Sequence, residues 1–469
     1  CRPALNSPYD FSPLSGQKTS HDAGAVVGER RRWEHIVFYI TFSELRTDAP
    51  TRPRPFGEQY RDDDVAGSGT MSLGDHTLSF PIWVEFGNGK SARTGDVIDA
   101  KGWDDALVVT DPGIRDAGIT DGVESSLDDA GIDYAVYDEV RPNPTVGMVE
   151  DALATLTDGG FDVVVAVGGG SVIDTAKCAT LLKTNPGPLA DYEVNTPDDV
   201  TAGSIATDPH PLVTIPTTAG TGSEVDYWAV ITAPDRAFKM AIGQPPLSPG
   251  GPYLGAEISL VDPELTASLP PRQTAATGFD AFSHALENHV AAGAPELVKP
   301  YTRDVMGLVT EHLADAYETG DMAARERMLY GSHMAGFCEN FAGFGAIHSL
   351  AEVTGGMYPE IPHGEAIAVF TPPVMRYNLE AYPGRYAEVA AAMGVDTSGL
   401  SDVEAAHDAV DAVEALIDEV DLPSSLRELG VDEDDLPEIA EKSLDTIEIH
   451  DNPRDADASD LLAVARDAY

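Results

Sequence analysis

The stretch VVVAVGGGSVIDTAK, residues 163–177, decides how this chain is read. Val163 to Val167 are apolar on both faces of an extended segment, the pattern of a strand buried inside a parallel sheet. Three glycines and Ser171 follow at once, and a segment containing Asp174 and Lys177 then begins a helix. Glycines let backbone N–H groups approach a phosphate closely, and a helix N-terminus adds partial positive charge there. The turn has neither the Gly-Lys-Ser/Thr of a P-loop nor the spacing of GxGxxG. A strand-to-helix turn of this kind also serves purely structural ends, so Gly169, Gly170 and Ser171 need a second feature beside them.

That feature is PTTAGTGSE, residues 216–224, which follows another strand-like run at 212–215. Its hydroxyls and pliant amides, among them Thr217, Thr218 and Thr221, suit a diphosphate or a ribose, or simply a polar turn. Two such loops behind two strands of one sheet favour a dinucleotide more than either does alone. Further strand patterns lie at 106–110, 134–137 and 258–261, with helical patterns between the first three, including one at 144–156. Strands alternating with helices give βαβ units and a mostly parallel sheet, with the nucleotide at the carboxyl ends of the strands. At the end of the first of these strands Asp111 is placed either to accept from ribose hydroxyls, which favours NAD over NADP, or to cap a turn.

Beyond residue 263 the strand signal nearly vanishes and helical patterns take over at 272–289, 297–317, 323–340, 383–393, 403–419 and 458–468. The expected architecture is therefore an α/β dinucleotide-binding domain with a parallel sheet at 71–263, followed by an all-helical domain at 264–469. Residues 1–70 read differently. They hold nine basic and ten acidic residues, against 20 and 69 in the remainder, and show no sustained periodicity. The expectation for them is a disordered extension or a mis-called start, since Met71 opens the first stretch that reads as a folded domain.

The formal net charge is −50, from 79 acidic and 29 basic residues. Nucleic acid and anionic membrane would be repelled, which excludes both as partners. The acids are scattered, as on a solvated halophilic surface whose self-repulsion concentrated salt screens. Three cysteines far apart make no disulfide framework and no CxxC site, so a reducing cytoplasm is expected. No run of about 18 apolar residues is present to span a membrane.

The helical half carries the metal candidates. In GFDAFSHALE, residues 278–287, Asp280 and His284 are four residues apart and so share one helix face, where both side chains reach a single ion. His348 in GAIHSLAE (345–352) and His363 in IPHG (361–364) complete a set of one carboxylate and three imidazoles. Such a set suits Fe2+ or Zn2+ without choosing between them. The remaining histidines, including His289, His312 and His333, are read as structural or surface residues.

Taken in order, GGGSxxDxxK, PTTxGTGSE, GxDxxxHxxE and the two later histidines, the second in Pro-His-Gly, resemble the iron-containing (group III) alcohol dehydrogenase family. The resemblance runs from about residue 82 to the C-terminus, where Asn452-Pro453-Arg454 also fits. It implies an α/β NAD domain, a helical metal domain and an active site in the cleft between them. Gly169, Gly170 and Ser171, within the motif that also holds Asp174, would take the diphosphate. Asp111, Asn143, Thr217, Thr218, Thr221 and Lys239 would contact the rest of NAD. Asp280, His284, His348 and His363 would bind a divalent metal, Fe2+ before Zn2+. Two departures stand out: Glu352 sits where many members carry another histidine, and the segment from His348 to His363 is one residue longer.

The reaction implied is reversible hydride transfer between NAD and a primary alcohol, its aldehyde or a hydroxy acid, the metal lowering the pKa of the alcohol oxygen. Glu352, one turn after His348, is the candidate to accept or relay a proton or to add a metal contact. Parts of the chain also resemble the family's hydroxyacid–oxoacid transhydrogenase branch, and this is the alternative reading. Metal-independent maleylacetate reductases share the motifs, and sugar-phosphate cyclases, which are lyases, share the fold. The partner expected is a small molecule, with a homo-oligomer left open.

Overall fold

The protein is described by a computed structural model over residues 78–469. The expected extension at 1–70 lies outside the described residues. Six parallel strands form one sheet: β1 (Trp83–Phe86), β2 (Asp105–Val109), β3 (Asp133–Tyr137), β4 (Val163–Gly168), β5 (Leu212–Pro216) and β8 (Ile258–Val261), in spatial order β1-β8-β5-β4-β2-β3. Between β5 and β8 an antiparallel pair, β6 (Trp228–Ala233) and β7 (Phe238–Gly243), forms a separate hairpin.

The period-two geometry of a strand explains how the sheet is covered. Val163, Val165 and Val167 point to one face and join Val97, Ile98, Val123 and Leu127 from helices α1 (Thr94–Lys101) and α3 (Thr120–Ala130). Val164 and Ala166 point to the other face. There they meet Ala152 and Leu156 of α4 (Val146–Gly159) and Val172, Ile173 and Ala176 of α5 (Gly170–Thr184). Every residue of β4 is buried, so its unbroken apolar run reports burial on both faces. Two short helices, α2 (Pro112–Asp116) and α6 (Pro197–Ala202), lie in the connections of this half.

Strand order reverses between β2 and β4: the chain steps from β2 outward to β3, then returns to the other side of β2. Such a switch point opens a crevice at the carboxyl ends of the strands. Register sets what reaches it. Gly168 is paired with Pro216, so both glycine-rich loops leave the sheet at one level.

After β8 no further strand occurs among the described residues. The helices are α7 (Pro271–Val290), α8 (Lys299–Glu318), α9 (Met322–Glu339), α10 (Ala346–Met357), α11 (His363–Asn378), α12 (Pro383–Ala392), α13 (Asp402–Glu419), α14 (Leu436–Lys442) and α15 (Ala458–Asp467). They share one apolar core, built on Phe279, Phe282, Val309, Leu313, Phe370 and their neighbours. The architecture is the expected one, a parallel α/β unit and then helices. Among the elements that sequence patterning missed are β1, the β6–β7 hairpin, α14 and α11, which carries His363; α10 was read only through the one-turn spacing of His348 and Glu352. Among the described residues no helix is long and apolar enough to cross a membrane.

Candidate functional site

Helix α7 is the centre of the helical half. Its residues 278–290 are all buried, yet they include Asp280, Ser283, His284, Glu287, Asn288 and His289. Buried polar groups are costly unless they find partners, so each of these has to be accounted for. Asn288 donates to the carbonyls of Ala342 and Gly343, and His289 meets the Thr302 hydroxyl at 2.9 Å. Asp280 and His284 face elsewhere. The Nε2 atoms of His284, His348 and His363 lie 3.5, 4.0 and 3.5 Å from Asp280 Oδ1. Ligand atoms of Asp280, His284 and His348 all fall within 4.8 Å of one another. Tetrahedral coordination with bonds of about 2.1 Å would put ligand atoms about 3.4 Å apart.

Asp280 Oδ1 and His348 Nε2 are buried without any hydrogen-bond partner in the protein. Partnerless acceptors converging on one point are what a cation would satisfy, and a carboxylate with three imidazoles suits a first-row divalent ion. The donor set therefore fits. His363 forms the open side, its side chain 23% exposed while the other three are nearly enclosed.

Each imidazole also has a carboxylate near its far nitrogen, closely for His284 and His348 and beyond hydrogen-bond distance for His363. His284 Nδ1 contacts Glu339, His348 Nδ1 lies 2.6 Å from Glu287 Oε2, and His363 Nδ1 is 3.6 Å from Glu352 Oε1. An acceptor at Nδ1 fixes the tautomer that leaves Nε2 free to ligate and makes the ring a better donor. Glu287 has a second task. It accepts from the backbone N–H groups of Ile347 (2.9 Å) and His348 (3.3 Å), capping α10 and fixing where His348 begins. Gly345 is required for this, since a Cβ there would lie 2.9 Å from Glu287 Oε1.

Electrostatics follow from this crowding. Burial pushes Glu287 up to about 7, against the backbone N–H groups that stabilise its charge. Burial likewise raises Glu339 to about 7, with His284 opposing. For His284, burial favours the neutral ring, but Glu339 and Asp280 outweigh it and lift the imidazole to about 9. His348 is driven well below its usual value by burial and by the two neighbouring imidazoles. Burial would raise Glu352, yet Lys239 and His363 overcome it and hold the carboxyl at about 2. Glu352 is thus a fixed anion. Its Oε2 lies 3.0 Å from Lys239 Nζ, and its other oxygen faces His363.

On the sheet side the two glycine-rich loops meet. A Cβ on Gly169 would sit 3.0 Å from Thr218 Cγ2, and one on Gly170 would sit 2.7 Å from Thr221 Cγ2. Gly169 is the N-cap of α5, and Ser171 lies in its first turn. The Thr217 hydroxyl is buried and partnerless, available to a ligand. Asp174 stands one step back: it accepts from the Ser223 hydroxyl (2.6 Å) and the Val230 N–H (2.9 Å), anchoring the second loop and β6. Lys177, fully buried, completes the anchor through Ser223 Oγ, Asp226 Oδ1 and the Trp228 carbonyl. Asp111 caps α2 through the Ile114 N–H, so the bland reading of that residue describes a real contact. Asn143, at φ 55°, donates to the Pro359 carbonyl between α10 and α11, joining the α/β half to the helical one.

Among the candidates, Gly169, Gly170, Ser171, Thr217, Thr218 and Thr221 lie in the two loops after β4 and β5, and Asp280, His284, His348 and His363 converge on one another. Asp111, Asp174, Asn143, Lys239 and Glu352 are engaged in contacts within the protein. Sequence reading did not single out Glu339 or the capping work of Glu287. Glu287 was within reach of it, being three residues from His284 on the same helix. Glu339 was not, because only the packing of α9 beside α7 brings it to that ring.

Comparison with known proteins gives the same reading. Residues 81–263 match the family model described as iron-containing alcohol dehydrogenase, and residues 274–469 match that for the C-terminal part of the Fe-containing alcohol dehydrogenase family. Over 381 residues the chain is 36% identical to choline dehydrogenase of Bacillus subtilis (strain 168), covering 81% of this chain and 92% of that one. It is 35% identical over 384 residues to the NAD-dependent methanol dehydrogenase of Bacillus methanolicus, covering 81% and 97%. Among solved structures, an archaeal halo-thermophilic alcohol dehydrogenase from a Red Sea brine pool superposes with a TM-score of 0.78 at 31% identity, covering 84% of this chain and 99% of that one. With both halves matched by the family's models and a relative 36% identical over most of both chains, the chain belongs to the iron-containing alcohol dehydrogenase family.

Proposed function

We propose that this NAD-dependent oxidoreductase of alcohols and aldehydes holds a divalent ion on Asp280, His284, His348 and His363, and works on small alcohols lacking an acidic group. The observation that carries the reading is the convergence of three imidazole Nε2 atoms on one partnerless oxygen of Asp280. The ion, Fe2+ by the family's name with Zn2+ equally suited to the donors, supplies a Lewis acid that acidifies a hydroxyl and polarises a carbonyl, while NAD takes or gives the hydride.

The chain's own residues do the rest. Gly169, Gly170 and Ser171 offer backbone N–H groups at the start of α5 to the diphosphate. Thr217, Thr218, Thr221, Asn143, Lys239 and Asp111 line the crevice along which the rest of the cofactor would lie, and Asp174 steadies the loop. Phe344 stacks on the His348 ring with centroids 4.1 Å apart, giving the ligand cluster an apolar wall. Glu352 is engaged at both oxygens and serves as a positioning group in this reading.

Substrate charge follows from the same contacts. Asp280, Glu287, Glu339 and Glu352 crowd the centre, and the cation touching them, Lys239, is already paired. A substrate carboxylate or phosphate would meet the crowded acids beside the ion, with Lys239 already paired, which disfavours the hydroxyacid–oxoacid transhydrogenase and sugar-phosphate readings. Relatives named for choline and methanol fit better. The net charge of −50 and the likeness to a brine-pool enzyme support a salt-adapted protein of the cytoplasm.

Anaerobic purification followed by metal analysis, and NAD reduction with a panel of alcohols and hydroxy acids in high salt, tests this. The expected outcome is stoichiometric Fe or Zn, activity with alcohols, and loss of both in Asp280→Ala. Activity surviving exhaustive chelation would sink the metal reading. Hydride exchange between a hydroxy acid and an oxo acid, without net NAD reduction, would install the transhydrogenase instead.

A further inference from the structure

Glu352 joins two sites that are otherwise built by different halves of the chain. Lys239 lies on β7 and Glu352 on α10, and their buried side chains meet at 3.0 Å. Two glycines make the approach possible. A Cβ on Gly356 would lie 2.9 Å from the Phe238 Cα, and one on Gly355 would lie 2.9 Å from Lys239 Nζ, so the lysine runs across the bare face of α10 to reach Glu352. From there Oε1 faces His363 Nδ1 at 3.6 Å, and His363 Nε2 lies 3.5 Å from Asp280 Oδ1. Charged groups thus follow one another from Asp280 through His363 and Glu352 to Lys239, with the His363–Glu352 step longer than a hydrogen bond.

We infer that Glu352 is a positioning residue that couples metal binding to dinucleotide binding, through the Lys239–Glu352–His363 line. The inference rests on the site assignment above. A ligating His363 must carry its proton on Nδ1, directed at Glu352. With an ion bound, that N–H would be held toward Glu352, and Glu352 pairs with the ammonium of Lys239, the residue the proposed reading gives to the cofactor, where β7 packs on α10. Without the ion, His363 is the least enclosed of the four ligands and is free to turn. The line then has no fixed end. Metal therefore tightens NADH, and by linkage NADH tightens metal by the same factor.

The test measures NADH dissociation constants by fluorescence on the full chain, once stripped with chelator and once loaded with Zn2+. For the unaltered protein the loaded form should bind NADH at least about fivefold tighter, the lower end of ordinary coupling. In Glu352→Gln one oxygen of the bridge becomes an amide, and the ratio should fall to near one while both ligands still bind. Lys239→Gln breaks the line from the other end and should collapse the ratio in the same way. Its own loss of NADH affinity cancels, because the ratio is the readout, and it serves if Glu352→Gln fails to fold. An undiminished ratio in either folded variant, or no coupling in the unaltered protein, overturns the inference and leaves the site assignment standing. Failure of the unaltered protein to bind Zn2+ or NADH at all overturns the assignment, and the inference with it.

Discussion

In the proposed reading the loops at 168–171 and 216–224 offer backbone to the dinucleotide, whereas the cluster around Asp280 offers side chains to the ion. On the sheet side the decisive residues are ones that lack atoms: Gly169 and Gly170 leave room for Thr218 and Thr221, and the N–H groups at the start of α5 are the proposed binding groups. On the helical side the decisive residues are charged and buried, with Glu339 against His284, Glu287 hydrogen-bonded to His348 and Glu352 3.6 Å from His363. A backbone site needs exact spacing and little chemistry. A side-chain site in a dry interior needs each charge answered, because an unpaired buried charge costs more than a lost contact. The two kinds should therefore fail differently.

The largest expected effect tests whether the backbone half truly needs little chemistry, since a charged pair underlies its loops. Lys177→Met strands Asp226 in a buried site and should lower unfolding free energy by about 3–5 kcal/mol, read from denaturant midpoints. A loss below about 1 kcal/mol would mean that the pair is not what holds the second loop. Next comes the side-chain half. Glu287→Gln keeps the shape but weakens the hold on His348 and the cap on α10, so metal affinity should fall about 10–100-fold with NADH binding to the stripped protein unchanged. Metal titration by calorimetry checks it, and unaltered affinity would reduce Glu287 to a helix cap. The smallest effect belongs to Gly170→Ala, whose Cβ would press on Thr221 Cγ2. NADH affinity should drop by about tenfold, roughly 1.4 kcal/mol, with metal content intact. Adding Thr221→Ser, which removes the crowding methyl, should restore much of it. No rescue would place the fault in the helix start instead.

Much of this was legible in advance, for identifiable reasons. The all-apolar run of β4 and the glycines after it specify a buried parallel strand and a phosphate-facing turn from local chemistry alone. Asp280 and His284 were legible because four residues bring side chains to one helix face. The hairpin β6–β7 escaped notice because its turn at 234–237 has the four-residue Pro-Asp-Arg-Ala form, with Ala237 at φ 46°, and lacks the Asn-Gly signature of a tight turn. Helix α11 escaped because Pro372 and Pro373 stand inside it, residues that ordinarily end a helical reading.

The sequence by itself determined the two-part architecture, and it singled out the two glycine-rich loops and the four residues proposed to hold the ion. These depend on periodicity and short spacings, which a chain carries locally. Only the tertiary structure decided what lies behind the ligands. Glu339 reaches His284 from another helix, Glu287 both caps α10 and holds His348, and Glu352 turns out to be paired with a lysine 113 positions earlier in the chain. Such contacts arise where separate elements are packed together, and long-range packing leaves no trace in the spacing of the residues it joins.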